Sequence, residues 1–192
     1  AVVVGDEPHG PDLAGPPEVG AVRLVTYYDG RRAYFYRILA SEDGRRWVEV
    51  ARQESPLLYR ALVGEASWRN YEVWAAVYDE ARRRSGVGIV FRSPRPDEGY
   101  ILYLGPGFDG YLYLARMRSG RVEVLRKAPF WYSVHRLEPH VLRAVAVGDR
   151  MRCYCDGILV FDVVDKTFRR GRVGLVTLLD PAAFDNLVVR SL

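Results

Sequence analysis

Two cysteines, three histidines and two methionines are all that 192 residues contain of these types, and each scarcity removes a class of chemistry. A closed zinc site needs four ligands. The histidines here, His9, His135 and His140, stand at no recognisable ligand spacing from the cysteines, so none is expected. No apolar run approaches the roughly 18 residues of a membrane-spanning helix. No cleavable leader is visible, and no window sustains a helical period. Lysine is nearly absent: the 28 cations that set the net charge of +4 are almost all arginine, a bias that points to genomic or thermophilic composition. They are scattered, whereas a nucleic-acid binder gathers its basic residues on one face. Arg82-Arg83-Arg84 and Arg169-Arg170 fall in predicted turns, so no nucleic-acid partner is expected. A chain opening on Ala1 fits a secreted protein whose leader has been removed and equally a trimmed one. The expected address is extracellular or cell-surface.

What is present is strand. "AVRLVTYY", "AYFYRILA", "RWVEVA", "LLYRALV", "YEVWAAVY", "VGIVFR", "YILYLG" and "YLYLARM" recur between turn signals such as Asp29-Gly30, Asp43-Gly44 and Ser119-Gly120. "RVEVLRK", "VLRAVAVG", "RMRCYC", "ILVFDVV", "RVGLVTLL" and "FDNLVVRS" continue the pattern to the end. About fourteen strands joined by hairpins predict antiparallel sheets packed as a sandwich. Residues 1–20 differ, because "AVVV" leads into the Pro- and Gly-rich "GDEPHGPDLAGPPEVG". The expected organisation is an extended arm over 1–20 and one β-sandwich domain over 21–192.

The cysteines lie in "GDRMRCYCDGILVFDVVD", which reads as a hairpin about Asp156-Gly157. Residues i and i+2 of a strand share a face, so Cys153 and Cys155 stand side by side about 6.5–7 Å apart with parallel side chains, a poor arrangement for a disulfide. Both are expected to be reduced and to fill core positions as small hydrophobes.

From Ser67 to Val189 the ordered pieces "SWRNYEVWAAV", "GVGIVFR", "GYILYLG", "GDRMRCYCDGILVFDVVD", "GRVGLVT" and "AAFDNLVV" resemble the concanavalin A-like lectin/glucanase superfamily, in particular its 3-keto-disaccharide hydrolase-like and laminin G-like domains. The resemblance implies an all-β fold: two curved antiparallel sheets in a jelly-roll sandwich. It also implies that Cys153 and Cys155 occupy positions usually held by aliphatic residues. A structural Ca2+ ion is a further implication, with Asp185 in "FDNLVV" matching the acidic ligand at the start of the last strand. One Asp is far short of the six to eight oxygens calcium takes. The stretch before Trp68 departs from the family pattern.

One fold hosts many activities, so function must come from side chains. Retaining glycosidases need two carboxyl groups about 5 Å apart on one face. "YEVWAAVYDE" instead offers Glu72 with Trp74, Ala76 and Tyr78, while Glu49 and Glu123 stand singly, so glycoside cleavage ranks last. A sugar-binding face needs aromatic rings beside polar groups. Phe130, Trp131 and Tyr132 in the loop "KAPFWYSVHRLEPH", the Tyr111/Tyr113 face and Trp74 with Tyr78 are the candidates, against the alternative that these rings are core or edge packing. The leading expectation is a non-catalytic carbohydrate-binding sandwich with a glycan or polysaccharide partner. Its competitor is a structural subunit of an extracellular assembly. There, self-association would run through residues 1–20, donated as a strand to a neighbour's sheet edge.

Overall fold

The computed structural model describes residues 3–4, 21–27, 35–41, 48–54, 58–79, 86–105, 110–129, 139–178 and 182–192. Fifteen strands are seen among them: β1 (Val3–Val4), β2 (Ala21–Tyr27), β3 (Phe35–Ser41), β4 (Val48–Glu54), β5 (Leu58–Val63), β6 (Tyr71–Asp79), β7 (Gly86–Ser93) and β8 (Gly99–Leu104). The others are β9 (Tyr111–Arg118), β10 (Arg121–Pro129), β11 (His140–Val147), β12 (Arg150–Cys155), β13 (Ile158–Val164), β14 (Arg172–Leu178) and β15 (Ala182–Ser191). Sheet I has the order β1-β15-β6-β11-β12-β13, and sheet II the order β10-β9-β8-β7-β14-β5. The two form the expected all-β sandwich. Among the described residues strands β2, β3 and β4 pair with one another, as a three-stranded sheet. No helix of the described residues is long and apolar enough to cross a membrane.

Among the described residues every ladder is antiparallel except one: β1 runs parallel to β15, with Val3 opposite Val188 and Val4 opposite Val189 within the same chain. The rest of the arm lies outside the described residues.

Period-two alternation builds the core. Tyr71, Val73, Ala75 and Val77 of β6 point inward and are buried, as are Met151, Cys153 and Cys155 of β12. They meet Val87, Ile89 and Phe91 of β7, Tyr100 and Leu102 of β8 and Leu112 and Leu114 of β9 in one cluster. The turns obey the chemistry of their residues. Asp156 and Gly157 (φ 49° and 81°), like Ser119 and Gly120 (φ 48° and 74°), place both central residues in the left-handed region, the two-residue turn whose twist matches the flanking strands. At Gly174 the demand is space, since an added Cβ would lie 1.8 Å from the Ala61 carbonyl oxygen.

A buried polar network closes one end. The Tyr71 hydroxyl accepts from the Arg92 backbone N–H (2.6 Å) and donates to the Gly171 carbonyl (3.3 Å). The fully buried Arg92 guanidinium donates to the carbonyls of Phe168 and Arg69. Nearby, the Tyr100 hydroxyl donates to Asp165 Oδ1 (2.7 Å) and accepts from the Phe168 N–H (3.2 Å). Loss of water raises both tyrosine hydroxyls above their ordinary pKa.

Candidate functional site

The aromatic candidates divide between opposite surfaces. Tyr111 and Tyr113 lie on the second face of sheet II, and Trp74 and Tyr78 on the outer face of sheet I, so the two sets cannot line one groove. Phe130, Trp131 and Tyr132 fall outside the described residues.

The second face of sheet II is curved and closed. Arg60 of β5 and Met117 of β9 are four strand steps apart in the sheet order, about 19 Å if the sheet were flat. Yet Arg60 Nη1 reaches to 3.0 Å from Met117 Sδ, so this face is concave. Its lining of Val90, Ile101, Ala115, Met117 and Val176 is buried and apolar. The tyrosines satisfy one another. Tyr103 and Tyr113 are cross-strand partners and stack at 5.0 Å with planes 10° apart, and Tyr111 tilts against Tyr113 at 6.4 Å. Lys127 Nζ sits 3.6 Å above the Tyr111 ring, a cation–π cap. This is largely packing, with Tyr111 alone at a half-exposed rim.

The outer face of sheet I is open. Antiparallel register lines up Val188, Trp74, Arg143 and Tyr154 across four strands, and beside them Arg190, Glu72, Val145, Arg152 and Asp162. Trp74 and Tyr154 are half-buried and stand two strands apart, about 10 Å. In the neighbouring row, two residues from Trp74 on the same strand, the Glu72 carboxylate is held at both oxygens, by Arg143 Nη2 (2.5 Å) and by Arg190 Nε (2.8 Å). Each guanidinium also covers a ring, Arg190 that of Trp74 (5.5 Å) and Arg143 that of Tyr154 (5.1 Å). Glu72 is sequestered at 4 % side-chain exposure, whereas Arg143 and Arg190 keep 44 % and 63 %. The surface therefore offers two aromatic rings, two solvent-facing guanidinium forks and a fixed carboxylate. An Arg150–Asp162 pair, with contacts of 2.7 and 2.5 Å, continues it toward the sheet edge. Tyr154 and the two arginines escaped the sequence reading. The signal that finds Tyr154 is Cys153 and Cys155: if these face inward, Tyr154 between them faces out, whereas the arginines of β11 and β15 join it only through the register.

Asp185, the expected calcium ligand, sits on β15 before a bulge and accepts from the Asn186 N–H (2.8 Å) and side-chain amide (3.1 Å). No cluster of three metal-ligating side chains includes it among the described residues. The one such cluster among the described residues is His140, Cys155 and Asp156, whose donor atoms lie within 4.8 Å of one another. Sequence spacing did not suggest it, because a hairpin closes the 15-residue separation. Both cysteines are free thiols in the core, and burial pushes both well above the ordinary thiol pKa.

No protein-family profile and no curated protein sequence matches this chain. Solved structures do. A carbohydrate-binding module of family 66 from Bacillus subtilis superposes with a TM-score of 0.59 at 19 % identity, over 90 % of this chain and 94 % of the module. The Caenorhabditis elegans galectin LEC-6 gives 0.52 at 14 % identity, over 69 % of this chain and 89 % of the galectin. At such identities the likeness is one of fold: the chain is similar to these proteins in being a jelly-roll sandwich of the lectin type, as the sequence motifs implied.

Proposed function

We propose that the protein is a non-catalytic carbohydrate-binding sandwich acting outside the cell, and that its glycan lies on the outer face of sheet I. The observation that carries this reading is the row Trp74–Arg143–Tyr154 flanked by Arg190 and Glu72. Ring faces take the apolar faces of sugars, and guanidinium N–H groups donate to hydroxyls. The arginines now resting on the rings would swing aside, a loss of about 0.5–1 kcal/mol for each exposed cation–π contact. They would then bond the sugar hydroxyls from the same anchor on Glu72. With both oxygens engaged, Glu72 is a support and not a nucleophile. The names of the two structural neighbours, a carbohydrate-binding module and a galectin, agree with this reading.

A glycan array followed by titration calorimetry tests it. Binding to a neutral polysaccharide should fall about tenfold or more in Trp74→Ala, equivalent to the roughly 1.4 kcal/mol an aromatic platform supplies, and no reducing sugar should be released. Unchanged affinity would place the site elsewhere.

A second reading concerns assembly. The β1–β15 pair has two rungs at the edge of sheet I, and a neighbouring copy's residues 1–20 would remake the same pair between chains. The intact chain should then sediment as an oligomer and the chain lacking 1–20 as a folded monomer. A monomeric intact chain at high concentration would end this reading.

A further inference from the structure

We propose that His140, Cys155 and Asp156 form a binding site for one divalent transition metal ion of the zinc type. All three residues sit at one end of the β11–β12–β13 unit. His140 and Cys155 have the inward parity of their strands, in step with Leu142 and Cys153, and Asp156 reaches over them from the tight turn. Asp156 Oδ2 is 2.8 Å from His140 Nδ1 and 3.8 Å from Cys155 Sγ.

Zinc bonded at about 2.0–2.3 Å to nitrogen, oxygen and sulfur in a tetrahedron separates its ligand atoms by about 3.4–3.6 Å. The Asp–Cys distance already lies close to that. The His–Asp pair must open by about 0.6 Å, within reach of two partly exposed side chains. The carboxylate is also aimed: its other oxygen, Oδ1, accepts the Val141 N–H at 2.8 Å, while the Asp156 N–H donates to the Val141 carbonyl at 2.9 Å. Outer hydrogen bonds of this kind orient metal ligands. Thiolate, imidazole and carboxylate are a borderline-soft donor set, which favours zinc or cobalt over calcium or magnesium. Three protein donors leave the fourth position to solvent or to an oxygen of a bound molecule.

On binding, the Cys155 S–H bond breaks, its proton leaves to solvent and sulfur bonds the metal. The metal stays divalent, and uptake weakens as pH falls. The site shares no residue with the glycan face, so either can stand without the other.

Cobalt(II), whose thiolate complexes absorb in the near ultraviolet, is the probe. The full-length chain, stripped with chelator and kept reduced, should take up one cobalt per chain with a thiolate-to-cobalt band that zinc displaces. The band should vanish in Cys155→Ser and persist in Cys153→Ser. Should Cys155→Ser fail to fold, His140→Ala and Asp156→Asn take its place, each weakening cobalt about tenfold or more. Absence of the band in the parent chain, its survival in Cys155→Ser, or affinity unchanged in His140→Ala and Asp156→Asn would overturn the proposal.

Discussion

The two outward faces of the sandwich arise from the same alternation of residues and become different surfaces. On sheet II the curved face buries an apolar lining and the stacked pair Tyr103 and Tyr113, with Tyr111 tilted against them at the rim. On sheet I the flanking rows carry charges that pair in the open and rings that keep part of their area in water. Rings on a strand mark a face, and the company they keep decides whether that face is structural or available. Tyr113 has another tyrosine opposite it, and Trp74 has an arginine.

Substitutions should separate the faces, most strongly on the closed one. Tyr113→Ala removes a buried ring and should cost about 3 kcal/mol or more, read as a lowered urea midpoint. Trp74→Ala should cost less in the same assay because the residue keeps part of its surface in water, a loss below that of a core residue. If the two costs were equal, the distinction between the faces would fail.

Acid should act at the end of the sandwich that the Tyr100–Asp165 network closes. Burial alone would raise the Asp165 carboxyl, but hydrogen bonds from Thr167 and Tyr100 and the charge of Arg116 hold it below the usual carboxylate value. A carboxyl lowered in the folded state contributes stability above its unfolded pKa of about 3.9 and loses it as pH falls through the folded value. Stability measured from pH 6 downward should therefore decline below about pH 4, and Asp165→Asn should flatten that decline. A variant with the parent's acid profile would remove Asp165 from the account. A small effect is also expected at Cys153 and Cys155, where the near-isosteric change of both to Val should cost under about 1.5 kcal/mol.

The division into strands was legible because alternation and turn chemistry are local. The hairpin about Asp156-Gly157 and the inward parity of Cys153 and Cys155 follow from residues a few positions apart. Partners across the sheets were not legible. Nothing near "RVGLVTLL" indicates that β14 lies between β7 and β5, or that β15 joins β1 to β6, since non-local pairing depends on how loops close. The same limit hid the metal cluster. His140 reaches Cys155 through a hairpin, and ligand-spacing rules are written for short separations. Arg92 was not singled out in the sequence, where it closes the strand "VGIVFR", yet it is buried and held by main-chain carbonyls, an arrangement that carries no sequence signature. Trp74 was legible as a candidate. Its partners Arg143, Arg190 and Tyr154 come from three other strands, so the site became a constellation only with the register known.

The central claim, that the open face of sheet I and not the concave face of sheet II holds the glycan, is tested most directly by titrating one array-identified polysaccharide into three chains: the parent, the Trp74→Ala/Tyr154→Ala variant and Lys127→Ala. The account predicts loss of binding in the double variant, with a urea midpoint close to the parent's, and parent-like affinity in Lys127→Ala. Retained binding in the double variant with loss in Lys127→Ala would contradict it and move the site to the Tyr111 rim.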